Sequence, residues 1–250
     1  MPRLTRIGKK YPIVNKKPPS PDKSTLDIVV AFDITASMDP YINDVKDKIK
    51  YFTEGILNKL DTNIMFAGVG EHDTRGWPLL QITKFHNDLP TLKRCISEMF
   101  VYPGGNRDFP EAYECLFKEL ATYEYKNPTL MVMIGDSIPH GMERRGSGSL
   151  FGDYGCEDNV DYKVELPKLN NKLEAFYFVT CSDDYDMKRY QRKLVEQDKY
   201  FIELSRFNLV TELIMGVAMD LTGNFDSFYK DLKEEQGGDV ADEVLRMIRR

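Results

Sequence analysis

The chain has 250 residues, a length that fits one large α/β domain better than two small ones. Its 42% hydrophobic and 30% charged residues are ordinary for a globular protein, and no apolar run reaches the ~18 residues of a membrane span. The net charge of −6 argues against a general nucleic-acid-binding surface. We therefore expect neither nucleic acid nor a membrane span.

The N-terminal residues 1–24 differ from the rest in composition. They are rich in proline and lysine, and six of the first 17 residues are Lys or Arg. Such a segment cannot pack a core, so it predicts a basic, flexible arm ahead of a single domain at 25–250. The arm lacks the apolar stretch of a secretory signal, and a cytoplasmic location is expected.

Short apolar runs and helical spacings alternate along the rest of the chain. The runs predict buried strands at 26–32, 63–70, 129–134 and 173–180, with weaker strands at 79–85 and 225–228. Apolar residues at helical spacing predict helices at 41–60, 89–99, 108–123, 187–205, 209–221 and 239–250. This alternation predicts a Rossmann-like α/β sandwich of three layers, with a mostly parallel sheet between helices.

The four cysteines are Cys95, Cys115, Cys156 and Cys181. None is paired at zinc-ligand or C-x-x-C spacing, and so few cysteines in a long chain do not predict a disulfide framework. We expect a reducing compartment and interpret Cys95, Cys115 and Cys181 as small residues of the core.

Oxygen-bearing side chains follow two of the predicted strands, where ligands of parallel sheets bind. Asp33, Thr35 and Ser37 come directly after the first strand, and alternate residues of an extended segment point the same way. Asp136 follows the strand at 129–134. Few carboxylates with hydroxyls suit a hard cation, so the sequence predicts Mg²⁺ here, with Mn²⁺ or Ca²⁺ as alternatives.

Three segments carry a resemblance to a known family. Residues 33–37 (DITAS) resemble the D-x-S-x-S metal-ion-dependent adhesion site of von Willebrand factor type A domains, with Thr in place of the first Ser. Residues 104–112 (GGNRDFPEA) resemble the second loop of that site, and residues 133–140 (MIGDSIPH) resemble the third. The resemblance covers about residues 26–232. It implies the type A fold and a metal site at Asp33, Thr35, Ser37, Asp108 and Asp136.

The second loop leaves its ligand open. Either Asp108 or Asn106 serves the metal, and Asp108 alternatively caps the helix predicted to begin there. Asn106, His72 and His140 are expected at the rim of a partner-binding face. The long loop predicted at 141–168 follows Asp136, and we interpret it as a specificity loop for a protein partner, with a passive insertion as the alternative.

The function predicted from these residues is a binding module, in which the metal captures an acidic residue of a protein partner. The sequence has no P-loop, no G-x-S-x-G and no H-E-x-x-H motif, so we expect no enzyme. One alternative is a haloacid-dehalogenase-like phosphatase with Asp33 as nucleophile, although Thr35 stands where that family carries an acid/base aspartate. The other alternative is a type A domain with a vestigial metal site.

Overall fold

The structure is a computed structural model that describes residues 25–38, 46, 53–72, 76–101, 110–142, 155–195, 197, 200–203 and 209–249. The predicted arm at 1–24, most of the helix at 41–60, and both Asn106 and Asp108 lie outside these residues. Among the helices described, none has the length and apolar character needed to cross a membrane.

Six strands form one sheet. They are β1 (Asp27–Asp33), β2 (Ile64–Val69), β3 (Leu80–Ile82), β4 (Thr129–Gly135), β5 (Ala175–Thr180) and β6 (Phe201–Glu203). Their order is β3-β2-β1-β4-β5-β6, and every neighbouring pair is parallel except β2 with β3. The four buried strands predicted at 26–32, 63–70, 129–134 and 173–180 are all present as β1, β2, β4 and β5. Their continuous apolar runs reflect burial on both faces of a parallel sheet.

Helices cover both faces of the sheet. The described helical segment at residues 53–59 is termed α1, and the later helices are α2 (Leu89–Glu98), α3 (Tyr113–Thr122), α4 (Tyr162–Asn170), α5 (Tyr185–Gln191), α6 (Val210–Leu221), α7 (Phe225–Gln236) and α8 (Gly238–Ile248). Alternate residues of β1 point to opposite faces. Ile28 and Val30 pack in a core with α1, α2, α6, α7 and α8, whereas Val29 and Ala31 pack in a second core with α3 and α4. The predicted three-layer, Rossmann-like arrangement of the type A fold is therefore confirmed.

Two predictions near the C-terminus were wrong. The helix predicted at 187–205 is instead the short helix α5 followed by a 3₁₀ turn and strand β6, whose Phe201 stacks on Phe178 of β5. The strand predicted at 225–228 is the start of α7, because Phe225, Phe228 and Leu232 share its buried face.

Two boundaries also differ from the prediction. The helix expected from 108 begins at Tyr113, because the backbone of Glu111 is still extended and its N–H donates to Ile138 O at 2.9 Å. Ala112 occupies the cap position of α3 without a side-chain hydrogen bond. The loop expected at 141–168 ends in helix α4, which is capped by Asp161.

Candidate metal centre

The candidate site lies at the carboxyl ends of β1 and β4, the two central strands. The chain leaves β1 towards β2 on one side and later returns as β4 on the other, so the ends of β1 and β4 form the switch point where ligands of such sheets bind. In register, Phe32 of β1 is opposite Ile134 of β4. This register brings Asp33, the last residue of β1, and Asp136, the first residue after β4, to the same end of the sheet.

Asp33 is fully buried and anchors the site. Its Oδ1 accepts hydrogen bonds from the Thr35 N–H at 2.8 Å and from the Thr35 hydroxyl at 2.6 Å. Its Oδ2 accepts a hydrogen bond from the Tyr113 hydroxyl at 2.7 Å. These three donors fix the carboxylate at the strand end.

The hydroxyls connect the two carboxylates across the strand ends. Thr35 Oγ1 lies 3.2 Å from Ser37 Oγ, and the Ser37 hydroxyl donates to Asp136 Oδ1 at 3.2 Å. Thr35 is buried, whereas Ser37 is exposed and Asp136 is half-buried. The four residues predicted after the two strands are thus brought together, with an open side at Ser37 and Asp136.

Tyr113, the first residue of α3, supports the site and was not among the predicted residues. Its hydroxyl, which donates to Asp33, also accepts a hydrogen bond from the Ser137 N–H at 3.3 Å. It reaches this position because Gly135 has no side chain, and a Cβ there would lie 2.3 Å from the Tyr113 oxygen. A tyrosine at the start of a helix has no sequence signal for this role.

The loop after β4 is held from the other side by α5. Gln191 is fully buried, and its amide donates to Ser137 O at 2.8 Å. Its side-chain oxygen accepts a hydrogen bond from the Thr180 hydroxyl at 2.6 Å. The backbone that carries Asp136 is therefore tied to both α3 and β5.

Negative charge is concentrated at the site. Burial and the charge of Asp136 raise the pKa of Asp33 from 3.8 to about 7. Burial likewise raises the pKa of Asp136. Within the described residues, no lysine or arginine pairs with either carboxylate. Two close carboxylates without a cationic partner are the environment that a divalent cation neutralises.

Glu111 adds a third carboxyl group that the sequence analysis missed. Burial and the charge of Asp33 raise its pKa well above the ordinary value. Its Oε2 is buried and has no hydrogen-bond partner within the described part of the chain. A buried oxygen of this kind beside Asp33 fits a cation site, because a cation supplies the missing partner. The only signal was its place in the P-E-A segment of the second loop.

The two histidines predicted at the rim lie deeper than expected. His140 is 3% exposed, and its Nδ1 is 3.0 Å from Glu114 Oε1. The His72 side chain is 7% exposed, and its ring centroid is 5.7 Å from that of His140. Both side chains therefore belong to the interior beside the site. Asn106 and Asp108 are outside the described residues, so their predicted roles remain predictions.

Buried acids hold these histidines. Burial acts to raise the pKa of Glu114, but hydrogen bonds from His140 and His72 lower it overall below its ordinary value. The hydrogen bond to Glu114 raises the pKa of His72. Glu71 Oε2 lies 3.5 Å from His140 Nε2, so a third acid contacts the histidine pair. The charges of Glu71 and Asp33 both act on Glu111, which places the histidines and the candidate metal centre in one acidic region.

Comparisons with solved structures support the fold. The pilus adhesin SpaC from Lactobacillus rhamnosus GG is similar, with a TM-score of 0.60 and 13% identity over 82% of this chain and 31% of that chain. The PilB minor pilin from Streptococcus sanguinis has a TM-score of 0.56 and 10% identity over 83% and 64% of the two chains.

A third similar structure is proximal thread matrix protein 1 from the mussel byssus, with a zinc-occupied MIDAS motif. It gives a TM-score of 0.54 and 12% identity over 80% of this chain and 46% of that chain. At these identities the likeness concerns the fold alone, and this chain spans less than two thirds of each of the three proteins. No protein-family profile and no curated protein matches by sequence.

Proposed function

We propose that this chain is a von Willebrand factor type A–like binding module that holds a divalent cation at Asp33, Ser37 and Asp136. The observation that carries the proposal is the contact chain from the buried Asp33 carboxylate through two hydroxyls to Asp136. It stands at the switch point of the sheet, where the described segments 33–37 and 133–140 meet.

The residues divide between holding the cation and positioning its ligands. Asp33, Ser37 and Asp136 offer oxygens near the open side, with Thr35 as a further hydroxyl. Tyr113 orients Asp33, and Glu111 offers a further buried carboxyl oxygen beside the site. The resemblance to the second loop makes Asp108 or Asn106 a further ligand in this proposal.

The small number of carboxylates in this oxygen-only donor set favours Mg²⁺ over Ca²⁺, and Mn²⁺ accepts the same ligands. Mg²⁺ is held by one or two carboxylates and keeps several waters, whereas Ca²⁺ takes more oxygen ligands from the protein. When bound, the cation would neutralise the two carboxylates and accept an oxygen from a partner at an open position. The exposed Ser37 marks the side from which that oxygen arrives.

The partner in this proposal is a protein that presents an acidic side chain. A carboxylate matches the cation in charge and hardness. Because the chain has a net charge of −6, a partner's acidic side chain would be repelled elsewhere on the surface and attracted at the cation. The binding module is thus a non-enzymatic one that depends on the metal, and a cytoplasmic location is proposed with it.

A phosphatase role has less support from the site. Thr35 stands at the acid/base position of that alternative, and its hydroxyl is buried and already donates to Asp33. It cannot transfer a proton to a leaving group in that arrangement. A Mg²⁺-dependent phosphatase assay on the wild type and Asp33→Asn tests the alternative directly.

Mn²⁺ as a paramagnetic probe tests the proposal. We expect the Mn²⁺-loaded full chain to enhance water proton relaxation, and a glutamate-containing peptide to reduce that enhancement by displacing metal-bound water. The same peptide with Gln in place of Glu should have no effect. Asp136→Ala should abolish the enhancement, whereas Asp183→Ala, which alters an exposed acid after β5, should retain it.

Three results would contradict the proposal. Enhancement that persists in Asp136→Ala would place the ion elsewhere on the chain. Enhancement that responds equally to the Glu and Gln peptides would separate metal binding from carboxylate capture. An absence of enhancement in the wild type would favour a vestigial site.

A further inference from the structure

A second group of ligand atoms converges beside the candidate metal centre. His72 Nε2, Glu114 Oε1, Cys115 Sγ and Cys156 Sγ all lie within 4.8 Å of one another. His72 follows β2, Glu114 and Cys115 begin α3, and Cys156 lies in the segment before α4. The residues come from three separate parts of the chain, so the fold and not local spacing creates this group.

The distances match a tetrahedral site. Zinc bonds of ≈ 2.3 Å to sulfur and ≈ 2.0–2.1 Å to nitrogen give tetrahedron edges of about 3.8 Å between sulfurs and about 3.5 Å between sulfur and nitrogen. Here the two Sγ atoms are 3.5 Å apart, and His72 Nε2 is 3.6 Å from Cys115 Sγ and 3.4 Å from Cys156 Sγ. Glu114 Oε1 is slightly more distant, at 3.8 Å from Cys115 Sγ and 3.9 Å from His72 Nε2.

Polar groups lie next to two of these ligands, as they do in metal sites. A histidine that binds metal through one ring nitrogen usually directs the other at a carboxylate, and a carboxylate ligand usually accepts a further hydrogen bond. His72 Nδ1 lies 4.0 Å from Asp158 Oδ2, and Glu114 Oε1 lies 3.0 Å from His140 Nδ1. Both cysteines and Glu114 are buried, which closes the site to solvent.

We propose that His72, Glu114, Cys115 and Cys156 form a structural zinc site, separate from the oxygen-lined site at Asp33 and Asp136. Two sulfurs with one nitrogen favour Zn²⁺ and are poor ligands for Mg²⁺. The closed ligand set leaves no position for a substrate, so the ion is structural. This inference is independent of the proposed carboxylate-binding function.

The zinc site would fasten the start of α3 to the segment that contains Cys156. Cys115 lies two residues after Tyr113, whose hydroxyl orients Asp33. Zinc at this place therefore supports the position of Tyr113 and also anchors residues 155–160 next to the end of β2. Closure of a loop between residues distant in sequence is a role in which metal binding contributes directly to folding.

The test is the metal content of the full chain, purified under reducing conditions without chelator. Elemental mass spectrometry should give about one zinc per wild-type chain, as for a closed four-ligand site. The double variant C115S/C156S should retain less than about a tenth of that zinc, because both thiolate ligands are lost. The matched control C95S/C181S, which removes the other two cysteines, should retain all of it.

Two further measurements keep the result decisive if C115S/C156S fails to fold. Asp33→Ala should keep its zinc, which separates this site from the oxygen-lined one. Wild-type protein loaded with Co²⁺ should show a thiolate-to-cobalt charge-transfer band and the intense visible bands of a tetrahedral site. Loss of zinc from Asp33→Ala, or a Co²⁺ spectrum without thiolate bands, would overturn the proposal. A Cys115–Cys156 disulfide in place of bound zinc would overturn it as well.

Discussion

At the scale of single residues, the candidate metal centre depends on what surrounds Asp33. Its carboxylate is fully buried, yet three hydrogen bonds hold it in place and a second carboxylate lies close by. The ionised form of Asp33 is therefore unfavourable without a cation, although its carboxylate is well positioned to bind one. Two substitutions separate these effects.

Tyr113→Phe should weaken the site without removing any of its proposed ligands. The change leaves Asp33 Oδ2 and the Ser137 N–H without this buried partner, so we expect the free energy of unfolding to fall by about 1–3 kcal/mol. Mg²⁺ affinity should fall with it, because Asp33 is less well oriented. Urea unfolding and Mg²⁺ titration measure the two effects, and Tyr185→Phe, at a 78% exposed tyrosine, should change neither. Unaltered stability and affinity in Tyr113→Phe would remove its supporting role.

Asp33→Asn should stabilise the metal-free protein at neutral pH. The folded-state pKa of Asp33 is about 7 and its ordinary value is 3.8, so the folded chain binds the extra proton between these values. Stability of the wild type is then lost as pH rises through this window, whereas the Asn variant lacks that loss. At 1.36 kcal/mol per pKa unit, the difference should reach roughly 1–4 kcal/mol.

Urea unfolding in EDTA at about pH 5 and about pH 8 checks this prediction, because most of the titration of Asp33 falls between them. The wild type should lose stability relative to Asp33→Asn at the higher pH. Asp183→Asn, at an exposed acid, should follow the wild type at both values. An equal change in the free energy of unfolding between the two pH values in the wild type and in Asp33→Asn would mean that burial of this charge has little effect on stability.

At the scale of secondary-structure elements, much of the fold was predictable. The runs that became β1, β2, β4 and β5 are apolar on both faces, which only a covered parallel sheet requires. β6 has three residues and no periodicity that sequence can display, so it was predicted as helix. α7 begins with two phenylalanines three residues apart, a helical spacing that Leu232 continues on the face packed against α6 and α8, and the strand prediction overlooked it.

The packing of α6 against α7 and α8 gives an element-scale prediction. A Cβ at Gly216 of α6 would lie 2.4 Å from Ile248 Cδ1 and 3.2 Å from Phe228 Cε1, so Gly216→Ala should push α7 and α8 away. We expect it to lower the free energy of unfolding by about 1–3 kcal/mol, measured in urea.

Gly238→Ala is the matched control for this substitution. Its Cβ would meet only Lys233 Cε at 3.7 Å, an ordinary contact, so its stability should stay near that of the wild type. If Gly216→Ala is as stable as the wild type, α8 does not pack closely on α6 in solution.

At the scale of the whole molecule, the oxygen-lined site could be predicted from the sequence, whereas the proposed zinc site could not. Asp33, Thr35 and Ser37 are alternate residues of one short segment, and Asp136 follows a recognisable strand, so strand order alone predicts their meeting. The cysteine cluster joins residues 41, 43 and 84 positions apart. No spacing rule covers such a group, and Cys115 was therefore interpreted as an ordinary core residue.

A similar dependence on the folded chain explains why Glu111 and Tyr113 were not predicted as site residues. Both lie where the chain passes from the second loop into α3, and their roles depend on the extended backbone of Glu111 beside the loop after β4. The predicted helix began at residue 108 instead of Tyr113, so the extended backbone of Glu111 next to Pro139 was not foreseen. The switch point itself was predictable, because it follows from strand order in any sheet of this kind.

Calorimetric titration of the metal-free full chain with Mg²⁺ tests the central claim most directly. The account predicts one Mg²⁺ site per chain in the wild type and in Asp183→Ala, and none in Asp33→Ala or Asp136→Ala, with circular dichroism confirming that each variant is folded. Equal binding in the wild type and Asp33→Ala, or no binding in the wild type, would contradict a divalent-cation site at the ends of β1 and β4.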